Sequence, residues 1–326
     1  MTLPLIDLSE LSGPSEGASA RLASEIDAAL CAAGFFAVIG HGVPAATVAA
    51  AFAASQRFFV LPEVDKARWH IDGWPLKRGF DPVGWQSLDV GQPPDLKESF
   101  YLGVQAIGPN QWPDEALVPG FQAACLAYAA AMEALARRLM SLFEIALQLQ
   151  PGHFDRFMHQ PTCTTRLLHY PVRDPVRDPA QPMPGQIGCG AHTDWGALTL
   201  LAQDDAGGLQ VQTLEGDWKD VPPLPGALVV NIGDMTQRWT NDRWRSTPHR
   251  VVQRRAATER YSIAYFFDLD AESSITPLAS CVSAEHPARY GPITPGEHLA
   301  EMYRRTTVRN PVRNPVHSAA HSATVP

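Results

Sequence analysis

His192 and Asp194 stand two apart in His192-Thr193-Asp194, and a third candidate ligand, His249, lies far downstream in Ser246-Thr247-Pro248-His249-Arg250-Val251. Two imidazoles and one carboxylate give a divalent iron three protein ligands on one face and leave the opposite face open to small molecules, which is the form of a catalytic rather than a structural site. Residues i and i+2 of an extended chain point to the same side, so His192 and Asp194 converge if their segment is strand-like, with Thr193 turned away. Taken alone, a His-x-Asp pair is better read as a solvated turn, because chance matches are common.

The set does not stand alone. Arg260-Tyr261-Ser262 follows His249 inside the apolar run Arg260–Phe267. In an extended segment Arg260 and Ser262 share a face and present a guanidinium fork and a hydroxyl to one carboxylate. An arginine in a surface ion pair beside a strand is an equally good reading of that pair in isolation. Its order and register with the ligand set favour a carboxylate clamp near the metal.

Placing these side chains together requires a particular scaffold. Ser19 to Ala33 reads as an alanine-rich helix stopped at Gly34, Phe35 to Ile39 as a short strand, and Ala45 to Phe58 as a second helix closed by Leu61-Pro62. His41, between glycines, is read as a turn residue. Residues 71–120 are rich in Gly and Pro and are expected to form loops with short strands over the site. Phe121 to Leu149 carries the longest helical signal, with Leu126, Met132, Leu135, Leu139, Leu142 and Leu149 marking its apolar stripe. From Thr164 onward short strands alternate with turns: 164–170, 197–202, 209–213, 227–232, 251–254 and 261–268, with a hairpin turn at Leu214–Asp217. The fold class expected is mixed α/β and β-rich, a double-stranded β-helix (jelly-roll) core with supporting N-terminal helices. The expected organisation is an N-terminal region at 1–120 packed on the core, a supporting helix and jelly-roll catalytic core at 121–303, and a flexible tail at 304–326. The proline-rich repeats at 171–179 and 308–315 read as extended loop or tail, and His317 and His321 as part of a fraying end rather than a metal tract.

With these blocks in view, the chain resembles the isopenicillin N synthase-like branch of the iron(II)- and 2-oxoglutarate-dependent oxygenases, whose pattern is His-x-Asp, a distal His, then Arg-x-Ser. Leu3–Leu8, Gly34–Val43, Phe58-Phe59, Leu61-Pro62, Arg78-Gly79-Phe80, Asp95–Phe100 and Asn110–Pro113 are similar to recurring family blocks, so the resemblance covers about residues 3 to 270. It implies Fe(II) held by His192, Asp194 and His249, and 2-oxoglutarate as cosubstrate with its distal carboxylate on Arg260 and Ser262, assisted by Tyr170. It further implies consumption of O2, release of succinate and CO2, and hydroxylation, desaturation or ring closure of a small organic substrate. One departure concerns the cosubstrate: many plant members carry Asn two places before the tyrosine, where this chain has Leu168, and Arg166 is a candidate replacement.

Composition is compatible with that reading. A formal charge of −8 provides no basic surplus to neutralise phosphates, which argues against nucleic acid as a partner. No stretch is apolar and long enough to cross a bilayer, and no leader is evident at the amino end, so a cytoplasmic location without membrane association is expected. Cys31, Cys125, Cys163, Cys189 and Cys281 are scattered and read as free thiols. Cys189, close to His192, is read as a buried or idle thiol in preference to a soft ligand. Oligomeric state is not written in the sequence.

For the substrate, Arg78, Phe80, Trp85, Tyr101, Arg243 and Phe266 are candidate pocket residues, each with packing or surface exposure as the plainer reading. An amino acid or other small acid would suit an arginine, and a flavonoid- or hormone-like molecule the aromatics. Three competing functions remain at this stage. A same-site enzyme could work without 2-oxoglutarate or divert it to ethylene, a zinc hydrolase could use the same three ligands, and a silent jelly-roll binding module would keep the fold without needing all three.

Overall fold

The computed structural model describes residues 3–12, 17–87, 92–172, 185–252 and 258–306. The proline-rich repeat at 308–315, His317 and His321, and all but the first two residues of the repeat at 171–179, lie outside them. Eight strands, β1 (Leu5–Asp7), β2 (Phe35–Ile39), β3 (Gly79–Asp81), β4 (Glu98–Gly103), β5 (Thr164–Tyr170), β7 (Leu198–Gln203), β10 (Leu228–Ile232) and β12 (Arg260–Phe267), form one sheet in the order β1-β2-β10-β7-β12-β5-β4-β3. A second sheet, β6-β11-β8-β9, contains β6 (Cys189–His192), β8 (Leu209–Gln212), β9 (Trp218–Asp220) and β11 (His249–Val251). All pairings are antiparallel except β1 with β2. The result is a strand-rich mixed α/β fold with a jelly-roll core.

Side-chain alternation along β12 explains how one strand serves two interiors. Tyr261, Ile263, Tyr265 and Phe267 join the large apolar core shared with the helices, while Ala264 and Phe266 pack with Leu168 and Tyr170 of β5, Cys189 of β6 and Val251 of β11 in a core between the sheets. Arg260 and Ser262 fall on that inner face by the same period.

The helices are α1 (Ala18–Ala32), α2 (Ala45–Phe59), α3 (Glu63–Lys66), α4 (Phe121–Ala146), α5 (Asp234–Trp239) and α6 (Pro295–Thr306). Gly34 ends the first α-helix in a left-handed conformation, φ 67°, and a Cβ there would collide with the carbonyl of Arg245, so glycine is required for both reasons. On α4, Met132, Leu135, Leu139 and Leu142 are buried as the periodicity predicts, whereas Leu126 lies off the buried face. Tyr128 donates its hydroxyl to the Ile263 carbonyl at 3.2 Å, anchoring α4 to the outer face of β12. Truncating a buried leucine such as Leu139 to alanine costs about 2–5 kcal/mol, so this face stabilises the sheet that carries the site.

The first 120 residues contribute β1, β2, β3 and β4 directly to the large sheet. Helix α6 continues through Thr306, past the expected boundary at 304, and the rest of the expected tail lies outside the described residues. The strands β6 and β9 and the helices α5 and α6 had no clear signal of their own, being short or rich in polar residues. The hairpin turn is present, with Gly216 N–H donating to Thr213 O. His41 lies in the loop between β2 and α2, accepting from Val43 N–H and facing Gly226 O. No single helix among the described residues is long and apolar enough to cross a membrane.

Candidate metal centre and cavity

Register brings the distant histidines together. Antiparallel pairing of β6 with β11 sets His249 directly opposite His192, and Asp194 follows in the loop leaving β6. One ligand atom from each of the three lies within 4.8 Å of the others. Asp194 Oδ1 is 3.7 Å from His249 Nε2 and 4.0 Å from His192 Nε2.

The remaining polar atoms of the trio are occupied. His192 Nδ1 faces Gly190 O at 2.8 Å and His249 Nδ1 faces Thr247 O at 3.1 Å. A carbonyl can only accept, so each Nδ1 carries the proton and each Nε2 keeps its lone pair. Asp194 Oδ2 accepts from Asn231 Nδ2 at 2.6 Å and Thr199 Oγ1 at 2.7 Å, leaving Oδ1 for the shared centre. Phe35 packs edge-on against the His249 ring. Burial, reinforced by the neighbouring His192, pushes His249 down to about 4, and burial lowers His192 as well. Burial alone would raise Asp194, but the two imidazoles, Asn231 and Thr199 hold it below the ordinary carboxylate value. Neutral imidazoles and an ionised carboxylate are the forms that bind a divalent cation, so the donor set fits ferrous iron.

The loop bearing Asp194 is clamped from behind. Asp234 N–H, at the start of α5, donates to Asp194 O at 2.8 Å, and Thr236 Oγ1 donates to Ala197 O at 2.8 Å. Asp95 Oδ1 accepts from Gly190 N–H at 2.8 Å, and its other oxygen pairs with the buried Lys97. Cys189 Sγ lies 3.9 Å from His192 Nδ1, on the side away from Nε2, and burial pushes its thiol up to about 11. It is a buried, protonated thiol.

Arg260 is 2% exposed. It donates from Nε to Gly207 O at 2.8 Å and from Nη1 to Ser262 Oγ at 3.0 Å, and its guanidinium lies 4.7 Å from the Tyr170 ring centroid. Among the described residues no carboxylate lies within 4 Å of it, although buried charges are ordinarily paired. That guanidinium fits an incoming anion such as a 2-oxoglutarate carboxylate. Leu168 pairs opposite Ser262, and Arg166 lies one inward-facing position further along β5, opposite Ala264, with Nη2 turned to Gln86, Ser99 and Asp81. Three side chains therefore already engage Nη2 of Arg166.

A cavity of about 100 Å³ adjoins the trio, lined by His192, Asp194, Trp195, Tyr101, Arg166, Phe266 and Asp268 among others. Of the six substrate candidates, Tyr101 and Phe266 reach it. Arg78 is buried against the carbonyls of Gly108 and Val104, and Phe80 is core packing beside Phe58. Trp85 stacks edge-on against His70 at the surface. Arg243 pairs with Asp27 and borders a separate depression of about 810 Å³ with Asn241, Cys281 and Arg289. Trp195 and Asp268 were missed in the sequence, although Asp268 continues the inward-facing period of β12 and could have been found by extending it.

This architecture is shared with known proteins. The family model described as 2OG-Fe(II) oxygenase superfamily matches residues 161–269, and the model described as non-haem dioxygenase in morphine synthesis N-terminal matches residues 3–115. A 2-oxoglutarate-dependent dioxygenase of Monascus ruber is 37% identical, the match covering 94% of this chain and 96% of the relative. The chain belongs to the 2OG-Fe(II) oxygenase superfamily, in its isopenicillin N synthase-like branch. Validamycin A dioxygenase of Streptomyces hygroscopicus subsp. limoneus is 36% identical over 86% of this chain and 80% of its own length. A full-length Neurospora crassa protein crystallised in complex with alpha-KG superposes with a TM-score of 0.83 at 31% identity, covering 93% of this chain and 95% of that one. As a member of the superfamily, this chain is an iron(II)- and 2-oxoglutarate-dependent dioxygenase that consumes O2.

Proposed function

We propose that His192, Asp194 and His249 hold the iron, that Arg260 and Ser262 hold the distal carboxylate of 2-oxoglutarate with Tyr170 against the guanidinium, and that the substrate enters the cavity beside Trp195 and Phe266. The observation that carries this reading is the trio itself: three ligand atoms face one point while every other polar atom of those side chains is hydrogen-bonded away from it.

Bound iron, supplied with 2-oxoglutarate and O2, provides the oxidising power to break a substrate C–H bond, with succinate and CO2 as coproducts. The protein's part is positional. The two Nδ1–H bonds fix ring rotation, Asn231 and Thr199 fix the carboxylate, and Arg260 supplies positive charge in a water-poor interior walled by Leu168, Val251, Ala264 and Phe266. No side chain is required as a general base. A zinc hydrolase could use the same ligands, but it has no need of a buried arginine with no carboxylate within 4 Å among the described residues. We also place the protein in a reducing, cytoplasmic compartment, a reading supported by its free cysteines.

Anaerobic reconstitution with ferrous iron and 2-oxoglutarate tests the assignment. A weak visible charge-transfer band and, after O2, succinate are expected. Both should vanish in His192→Ala, whereas Arg260→Ala should raise the 2-oxoglutarate requirement far more than it weakens iron binding. Zinc-supported hydrolysis without O2 uptake would overturn the reading.

A further inference from the structure

The inner rows of β5 and β12 run from the clamp toward the cavity. On β12 the inward positions are Arg260, Ser262, Ala264 and Phe266, and the same period continues to Asp268. On β5 they are Tyr170, Leu168, Arg166 and Thr164, with Arg260 opposite Tyr170 and Ala264 opposite Arg166. At roughly 3.3 Å per residue, Arg166 lies about 13 Å along its strand from Tyr170. The interior thus has a cosubstrate end and a separate cavity end, and the cavity end has its own polar pair.

Arg166 is buried, and its guanidinium lies over the Tyr101 ring at 4.4 Å. Its Nη2 donates to Gln86 and Ser99, both at 2.8 Å, and lies 3.4 Å from Asp81 Oδ2, but Nε and Nη1 have no hydrogen-bond acceptor among the described residues. Its charge is already balanced by Asp81, so what it has left to offer is directional N–H donors. Asp268, 7% exposed, is the complement: its Oδ1 has no hydrogen-bond donor, and no cation pairs with it among the described residues. It occupies the space over Gly196 that any Cβ would fill, beside the Asp194 loop. Leaving such a group unsatisfied costs about 1–3 kcal/mol.

We propose that Arg166 and Asp268 are the substrate anchors of this cavity, and that the substrate is a small nitrogenous compound presenting a carbonyl or carboxylate oxygen to Arg166 and an N–H to Asp268. The proposal rests on the iron and 2-oxoglutarate reading above. The aromatic walls Tyr101, Trp195 and Phe266 suit a compact ring, and about 100 Å³ is well below the roughly 300 Å³ at which pockets accept drug-sized ligands. Amino-acid zwitterions and cyclic amides both carry this donor–acceptor chemistry.

The test is calorimetric titration of the anaerobic Fe(II)- and 2-oxoglutarate-loaded protein with two matched pairs: L-proline against cyclopentanecarboxylate, and uracil against 1,3-dimethyluracil. In at least one pair the N–H-bearing ring should bind about tenfold or more tightly than its partner, and the pair that responds identifies the source. Arg166→Gln and Asp268→Ala should each weaken that binding by about 10- to 100-fold, with Asp268→Asn, which keeps an acceptor oxygen, falling between. All three variants should retain the charge-transfer band and the 2-oxoglutarate affinity. The proposal is overturned if the band is present yet the N–H-free analogues bind equally well, no probe binds, or the variants bind like the wild type. Loss of the band in the variants would also overturn it by placing these residues at the cosubstrate. Absence of the band in the wild type would instead sink the functional reading beneath it.

Discussion

At the residue scale, both histidines donate Nδ1–H to the carbonyl two positions earlier, Gly190 for His192 and Thr247 for His249, so local backbone selects the tautomer that leaves Nε2 available. The carboxylate depends instead on side chains from β7 and β10. Asn231→Ala should lower ferrous-ion affinity by about 10- to 100-fold, read by direct metal titration. An unchanged affinity would assign the orientation of Asp194 to Thr199 alone. The same burial makes the apoprotein pH-sensitive. His249 lies near 4 against an ordinary 6.5, so the unfolded chain binds the extra proton and stability falls as pH drops through that window. Asp268, raised by burial from 3.8 to about 7, acts oppositely and loses stability as pH rises through that range. Apo Asp268→Asn should therefore lose melting temperature between pH 6.5 and 4.5 more steeply than the wild type. Parallel curves in thermal melts would rule out the opposing contribution.

At the element scale, the decisive contact joins the β10–α5 turn to the Asp194 loop. A Cβ on Gly233 would run into the carbonyl of Gly196 and come within 2.8 Å of Asp194 O. Gly233→Ala should destabilise the protein by about 1–3 kcal/mol and weaken metal binding as well, because relief of the clash moves the ligand loop. Denaturant melts and metal titration on the same preparation separate the two effects, and a loss of stability with wild-type metal affinity would refute the coupling. Strands such as β5, β7 and β12 were legible because their apolar or alternating residues exceed any turn signal. The ligand-bearing β6, Cys189–His192, was readable only as an extended segment. It is four residues long and held by Asp95 Oδ1 on Gly190 N–H and by pairing with β11, both long-range contacts. For α5, six residues after a glycine are too few for a periodic signal.

At the scale of the whole molecule, helices α1, α2 and α4 brace one part of the scaffold while the ligands project from the inner face of the opposing sheets. Metal and 2-oxoglutarate bind only where those sheets are closed, so ligands present at about 100 times their dissociation constants should add about 2.7 kcal/mol each. Chelation should lower the melting temperature, and re-addition of ferrous iron should restore it. An unaltered melting temperature, with binding verified independently, would mean that the site forms in the unfolded chain. What the sequence determined by itself was the donor chemistry: the residue types His192, Asp194, His249, Arg260 and Ser262, and the two-residue periods that put neighbours on a common face. Tertiary structure alone decided which face that was, that Arg166 and Asp268 share the cavity, and that Arg78, Phe80 and Arg243 are engaged elsewhere. The physical reason is that side-chain period is a local property, whereas strand register, burial and the partner of a guanidinium are set by segments remote along the chain.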